Sequence, residues 1–535
     1  MLKKYNAFRR YSLQSIEIDF QMKSLSHLTR SSLILIVFFG LDKISAFARS
    51  IIIARQFRLS FELDAFNVAN NLPDLLFALI SGGAMGMAFI PILSEYLTTR
   101  GRPALWDLFS RITNLAFVVT GLFAIVIAIF ATQIVRSQIG IAPGFGSQQQ
   151  ALITELMRLN LVATLIFSIS GLVMSGLQAN QHFLLPAMAP LLYNLGQIFG
   201  AVFLSPTKPY MIGSTSLPAL GLGVHGLVYG VILGAILHLF IQIPGLIRYQ
   251  FHWTPAINIR HHGVLQVLKL VGPRLLTMLS IQLIFLARDN LASRLGTTGA
   301  ITSLTYGWMI MQVPETLIGT AIATALLPTL AENATRQDWE SFRQTIEKAI
   351  RILIALTIPI TTVLATGLRP LVAVVFGFDA SGTDMLTWTT RVYLLGLAGH
   401  TVLEVAARAF YARKDAIRPL IASVLNTVAF IGMGILMVNN FFWLGTPGIA
   451  IVELAFTGEA LLLIFWLNRR LKSPISIDST FIRASIGGLL GGALTYTFII
   501  YLPGSPFITA SIGMLAGVLL ALPFINKELR SLLNL

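Results

Sequence analysis

Apolar runs of about 20 residues recur along the chain, each closed by a short polar or basic connection. A helix of that length crosses the roughly 30 Å of bilayer hydrocarbon. The pattern predicts about fourteen such helices, near 32–56, 65–96, 110–133, 151–178, 184–205, 219–247, 267–292, 300–330, 346–368, 386–411, 418–438, 446–467, 480–501 and 506–525. Very short turns join several of them and imply antiparallel neighbours. The alternating segments of about ten residues that build a membrane β-barrel are absent. The expected fold is therefore an all-α polytopic membrane protein. Pro73, Pro91, Pro314 and Pro328 fall inside long runs and should kink or break them.

The pattern also repeats. GGAMGMAFIPILSEY carries Pro91 and Glu95 near the end of the second run, and IGTAIATALLPTLAEN carries Pro328 and Glu332 near the end of the eighth, 237 residues later. GLQANQHFLLP ends at Pro186 and AFYARKDAIRP at Pro419, an offset of 233. Two independent pairs with nearly one offset argue for a tandem duplication, with two parallel six-helix lobes and two extra C-terminal helices. Parallel repeats related by an axis along the membrane normal are a transporter architecture, with the site between the halves. The domains read as 1–30, a cytoplasmic tail; 31–247, the first lobe; 248–266, a cytoplasmic linker; 267–467, the second lobe; and 468–535, the added helices with a short tail.

Charge fixes the orientation. Of the lysines and arginines in the connections and at the adjoining ends of the runs, about 24 fall in the tail, alternate connections and C-terminus, against 5 on the other side. The positive-inside rule then puts both termini in the cytoplasm. The net charge of +15 is explained by these loops, which removes nucleic acid as a partner. Only 11% of residues are charged and 55% are hydrophobic, against roughly 25% charged in soluble domains. There is no cysteine, so disulfides, thiolate metal sites and cysteine nucleophiles are excluded. Residues 1–30 lack the form of a signal peptide. No Walker A motif, HExxH or nucleophile elbow is present, and the chain reads as a transporter and not an enzyme. His261 and His262 sit in a basic loop and read as solvated.

The first run, SSLILIVFFGLDKISAFARSIIIARQF, carries Asp42, Lys43, Arg49 and Arg55. Each charge at mid-bilayer costs about 2.5–3.5 kcal/mol on insertion scales, so their retention points to a polar path facing something anionic. Asp42, Ser45 and Arg49 share a helix face. Arg55, near the end, could snorkel. The seventh run carries Arg274 and the adjacent Arg288 and Asp289. Neighbours on a helix point about 100° apart, so these two are not expected to pair with each other. His400, Glu404 and Arg408 form one stripe at spacings of four, a candidate structural pair, ion site or gate. Gly226, Gly230 and Gly234, and Gly487 with Gly491 and Gly488 with Gly492, follow the small-residue spacing of close helix packing.

With these residues laid out, the chain resembles the MurJ/MviN family, lipid II flippases of the multidrug/oligosaccharidyl-lipid/polysaccharide exporter superfamily. The resemblance rests most on AFARSIIIARQF, LDAFNVANNLPDLL and AFIPILSEY within 46–96. APGF at 142–145, FLLPAMAPLLYNL at 183–195, VGP at 271–273, TALLPTLA at 324–331 and RAFYARKDAIRP at 408–419 add to it. It implies alternating access in the bacterial inner membrane. A cationic cavity would take the headgroup of lipid II or a related polyprenyl-diphosphate glycan, and the tail would stay among membrane lipids along the last two helices. It also makes the peptidoglycan synthesis machinery a candidate partner. Arg49 keeps one family arginine, Lys43 replaces another, and Asp64 matches a family acidic residue. Together with Arg288 these are the candidate substrate-binding residues; Asp42, Asp289, Glu404 and Arg408 are the candidate gate or ion-coupling residues. No cofactor is expected, and the drive would be an ion gradient or the membrane potential, which gives about 2.3 kcal/mol per charge per 100 mV. The chain departs from the family pattern at Phe77, Ala78, Gly82, Trp308, Met309 and Gln312, where charged residues are replaced. Either the cavity charge has moved or the cargo differs. The alternatives are another polyprenyl-diphosphate glycan or a small molecule as cargo, or a non-transporting membrane scaffold.

Overall fold

A computed structural model describes residues 27–80, 83–471, 474–477 and 479–532. The tail up to residue 26, Gly82 and Lys472 lie outside the described residues, and His27–Arg30 already belong to the first helix. Helices stand at all fourteen predicted positions. The first six are α1 (His27–Phe57), α2 with α3 (Phe61–Ile80, Gly83–Arg100), α4 (Arg102–Arg136), α5 (Ser147–Ala179), α6 (Leu184–Phe199) and α7 with α8 (Val224–Phe240, Ile243–Arg248). The next six are α9 (His262–Ser293), α10 with α11 (Ala300–Pro314, Ala321–Thr335), α12 (Trp339–Phe376), α13 with α14 (Ala380–Leu395, Leu397–Ala412), α15 (Ile417–Asn440) and α16 with α17 (Gly445–Ala450, Leu454–Asn468). α18 (Thr480–Tyr501), α19 (Pro506–Ala521) and a short α20 (Asn526–Leu532) complete the chain.

Among the described residues, eleven of the fourteen are long and apolar enough to cross a membrane by length and composition. The tenth is divided at Gly396 into two helices of 16 residues each. The only β-structure among the described residues is a two-residue hairpin, β1 (Met211–Ile212) against β2 (Thr215–Ser216), in the loop after α6. Of the four in-run prolines, only Pro314 borders irregular backbone. It ends α10, and a π-helical turn, Glu315–Thr320, follows it. α2, α3 and α11 run through Pro73, Pro91 and Pro328.

The duplication is visible in local geometry. α5 and α14 end 233 residues apart, and α6 and α15 begin 233 residues apart. Gln181 and Lys414, at the same offset in the connecting turns, both adopt positive φ, 58° and 59°. Gly223 and Gly445, at the entries to α7 and α16, share another conformation that only glycine adopts readily, with φ 55° and 56° and ψ −138° and −139°.

By its packing the chain divides into two compact units, one of 1–52, 80–122 and 162–268, the other of 53–79, 123–161 and 269–535. The second unit thus joins the second repeat to two stretches of the first. The first unit is centred on Trp106 and Phe109, which meet Phe251 edge-on, while the Trp106 indole donates to the Tyr249 carbonyl at 2.9 Å. Its glycines pack as their spacing predicts: a Cβ on Gly230 would stand 2.8 Å from the Gly200 Cα. In the second unit the 38-residue α12 is the central post. Leu353, Ile346 and Phe342 on it bury against Phe410 of α14 and Leu463 of α17. α18 closes on it through Gly488, whose Cβ would meet the Thr362 hydroxyl at 2.6 Å. Leu489, Ile482, Leu515 and Leu519 of α18 and α19 remain exposed, as suits helices facing lipid.

Candidate functional site

In the first unit, Asp42 and Arg49 are brought together by a residue that periodicity does not reveal. Asn194, buried on α6, accepts from the Arg49 guanidinium at 2.8 Å and donates to the Asp42 carboxylate at 2.8 Å. The Asn194 amide therefore fixes the arginine while leaving its charge uncancelled by direct contact. Arg49 is half-buried. Lys43 is exposed and makes no hydrogen bond or ion pair among the described residues. Ser45 donates to the Asp42 carbonyl at 2.9 Å, so the polar face of α1 reads from Asp42 to Arg49. Arg55, exposed near the end of α1, donates to the Val375 and Val374 carbonyls at 2.9 and 2.5 Å, where the unsatisfied carbonyls and negative pole at the end of α12 attract a cation.

The second unit contains a polar seam between the two repeats. Asp64, expected to bind substrate, is fully buried. One of its oxygens accepts from the Gly299 N–H at 2.7 Å, and the other from the Thr302 N–H and hydroxyl at 2.8 and 2.7 Å. These donors open α10, so the carboxylate sits at a helix N-terminus, where the dipole and free N–H groups favour an anion. Gly299 adopts φ 82°, a backbone that glycine reaches without strain. Asp64 is thus a latch between α2 and α10, and its full burial closes it to a ligand in this conformation. Asn67 and Asn71 extend the seam along the same face of α2. Asn67 donates to the Thr302 hydroxyl at 3.1 Å, and Asn71 to the Asp289 carboxylate at 2.9 Å. Further along, the Gly144 N–H donates to the Ser293 hydroxyl at 3.2 Å, and Asn290 to the Gln138 carbonyl at 3.0 Å.

Arg288 and Asp289 correct the sequence expectation, because they do pair. The Arg288 Nε and terminal nitrogen both lie 2.8 Å from one Asp289 oxygen. The Cα–Cβ vectors diverge, but a guanidinium on a three-carbon stem folds back over that angle. Burial makes the pairing necessary, since an unpaired charge there would be very costly. Arg288, expected to hold substrate, is only 5% exposed and is committed to this pair.

The stripe on α14 is divided. Glu404 and Arg408 form an ion pair, and Arg408 also donates to the Thr324 hydroxyl at 3.3 Å. His400 does not join them: its ring packs between Trp308 and Phe456, at 5.3 and 4.7 Å between ring centres. Trp308, at a position where the family pattern has charge, thus closes an aromatic wall with Phe285, Tyr393 and Phe456.

Several polar residues escaped the sequence reading. Glu315, in the π-helical turn, accepts from Thr316 and Thr320 and lies within electrostatic reach of Glu404 and Arg408. Glu453, in the 3-10 turn between α16 and α17, and Glu459, on α17, are buried carboxyls in the last run of the second repeat, and Glu459 accepts from Asn426 at 2.8 Å. Each is an ionisable group inside an apolar run, the signal by which intramembrane functional residues are found.

Comparison with known proteins places this arrangement in a family. The family described as "Lipid II flippase MurJ" matches residues 53–522. A relative from Burkholderia cenocepacia, named lipid II flippase MurJ, is 30% identical over 409 residues, covering 75% of this chain and 74% of the relative. A probable lipid II flippase MurJ from Vibrio cholerae is 25% identical, covering 83% of each chain. Among solved structures, a lipid II flippase MurJ in an inward closed conformation superposes with a TM-score of 0.76 over 94% of this chain and all of that one, at 22% identity. An inward-facing multidrug MATE transporter of the MOP superfamily gives 0.65 over 82% of this chain and 98% of that one, at 16% identity. The match over 53–522 takes in the seam on α2, the whole second repeat and both added helices, and with it the chain belongs to the MurJ lipid II flippase family.

Proposed function

We propose that this chain carries lipid II, the polyprenyl-diphosphate-linked precursor of peptidoglycan, across the bacterial inner membrane by alternating access of its two repeats. It is a transporter without a catalytic step. The observation that carries the reading, beside family membership, is Arg49 held by Asn194 on a membrane helix with its charge uncancelled by direct contact. A diphosphate is the ligand such a guanidinium suits, since two parallel N–H donors match two phosphate oxygens. Lys43 adds a second cation, as a point charge without that fork. With both termini in the cytoplasm, as the basic loops argue, the seam at Asp64 lies toward the outer face. In this reading it is the gate closed while cargo loads from inside. Movement of net charge with each cycle lets an ion gradient or the membrane potential drive it.

A second cargo, another polyprenyl-diphosphate glycan, is favoured by one observation: Trp308 fills with aromatic surface a position that is charged in the family pattern. Complementation decides between them. A host depleted of its resident flippase is supplied with this chain, and lipid II exposed on the outer leaflet is measured. Rescue is expected, and Arg49→Ala and Lys43→Ala at matched membrane levels should each reduce it. A well-inserted chain that gives no rescue rejects lipid II as cargo and favours another glycan.

A further inference from the structure

Glu453 occupies a single 3-10 turn, Ile451–Glu453, between α16 and α17. It is 2% exposed, and neither carboxylate oxygen accepts a hydrogen bond among the described residues. A buried ionised carboxylate without donors carries a large desolvation cost, so the group must be neutralised by something it binds. The neighbours narrow the choice. α9 contributes Arg288 and Asp289, and α13 contributes Tyr393, all within electrostatic reach. Arg288 is already paired with Asp289. The set therefore holds one carboxyl more than it has cations. Of the other elements packed on the turn, α15 and α16 bring no titratable side chain to it, and Glu459 of α17 is engaged with Asn426. The Thr457 hydroxyl, one turn beyond Glu453, is also buried without a partner.

The cluster is tied to the seam. The second oxygen of Asp289 accepts from Asn71 of α2, beside the Asp64 latch. Parting of the seam removes that donor and admits water to the cluster. We propose that the Arg288–Asp289–Tyr393–Glu453 cluster is a proton-coupling site, with one proton on Glu453 while the seam is closed and transfer of that proton to water when it opens. A metal cation would be repelled by the adjacent Arg288 guanidinium, whereas a proton cancels the excess carboxylate charge outright. This deepens the transport reading by naming the coupling ion, and it stands or falls independently of which lipid-linked cargo is carried.

The test uses the full chain in proteoliposomes without cargo. Infrared spectra near neutral pH should contain a protonated-carboxyl carbonyl band that Glu453→Gln removes, unchanged when sodium replaces potassium. Absence of such a band, or its loss on adding sodium, overturns the proposal. Because the chain has no cysteine, Val68→Cys gives an independent reading of opening: the residue is fully buried on the seam face of α2. Its labelling by a membrane-impermeant maleimide, divided at each pH by that of the same chain unfolded in denaturant to cancel the thiol's own titration, should rise with pH by up to about tenfold per unit, the limit for one proton, and that ratio should become flat in Glu453→Gln. Should Glu453→Gln fail to insert, a pH-independent ratio of labelling in the folded to the unfolded chain carrying only Val68→Cys still refutes the proposal.

Discussion

Replacing Asp64 by alanine strips the N-terminus of α10 of its anion. The Gly299 N–H, the Thr302 N–H and the Thr302 hydroxyl lose an acceptor together. Each buried donor left unpaired costs about 1–3 kcal/mol. The hydroxyl can rotate to another acceptor, so two backbone donors set the scale, at about 2–6 kcal/mol. Water entering the gap returns part of this, and about 2–4 kcal/mol is the expected weakening of the closed seam. At 1.4 kcal/mol per factor of ten, the open population should rise roughly 30- to 700-fold. Asp64→Asn should have a smaller effect, because the amide keeps one acceptor but presents its own N–H groups to the second donor site.

The assay is maleimide labelling of Val68→Cys in intact cells. The signal should rise in the Asp64→Ala background at equal membrane abundance, while the thermal midpoint of the purified protein falls by far less than unfolding would require. Under the transport reading, a latch that will not hold also lowers flipping, since the gate no longer closes while cargo loads. Labelling that stays at the parental rate, with the variant folded and inserted, would refute the assignment of Asp64 as the latch.

Three further outcomes follow from the same geometry. Gly230→Ala places a methyl 2.8 Å from the Gly200 Cα, where backbone cannot yield, so α7 must move away at a cost of about 1–3 kcal/mol; thermal denaturation in detergent reads the loss, and an unchanged midpoint refutes the close approach. His182 lies in the turn between α5 and α6, where burial and then the Arg248 guanidinium hold its imidazole below the ordinary histidine value of 6.5. Its contribution to stability is complete above about pH 6.5 and is lost as pH falls below it, because the unfolded chain then binds the proton first; His182→Gln should flatten that part of the stability–pH profile. Arg408→Ala leaves Glu404 and Glu315 facing one another without their cation, whereas the Arg408→Ala/Glu404→Gln double variant relieves the repulsion; a double-mutant cycle on stability should give a favourable coupling of about 1 kcal/mol for this half-exposed pair, and additivity would dissolve the pair.

What could be read from the sequence was what the bilayer imposes. A spanning helix must satisfy its own backbone and present apolar side chains, so all fourteen positions were marked by hydropathy alone. The duplication was legible for a related reason: the turn around Gln181 and its counterpart around Lys414 need the same unusual backbone, and the sequence around both ends in proline. The breaks were less legible. Pro314 is followed by a π-helical turn and Pro328 lies within its helix, so a proline in an apolar run does not by itself mark a break. The site divides in the same way. The face shared by Asp42 and Arg49 follows from helical period, but Asn194 lies 145 residues further along the chain than Arg49, and no local pattern announces that an amide will bridge them. Asp64 was recognisable as an acid, but its partners are backbone N–H groups, which every residue but proline possesses and which gain meaning only where a helix begins. For Arg288 and Asp289 the angular rule was applied to Cβ directions when the deciding quantity was the reach of the guanidinium. Glu315, Glu453 and Glu459 were fully visible as carboxyls within apolar runs, and the insertion cost that made the first span informative applied equally to them. The rule that an intramembrane charge needs a reason, carried through to every such residue, leads from the cations of α1 to the carboxyls of the second repeat, where the structure leaves Glu453 without a hydrogen-bond partner among the described residues.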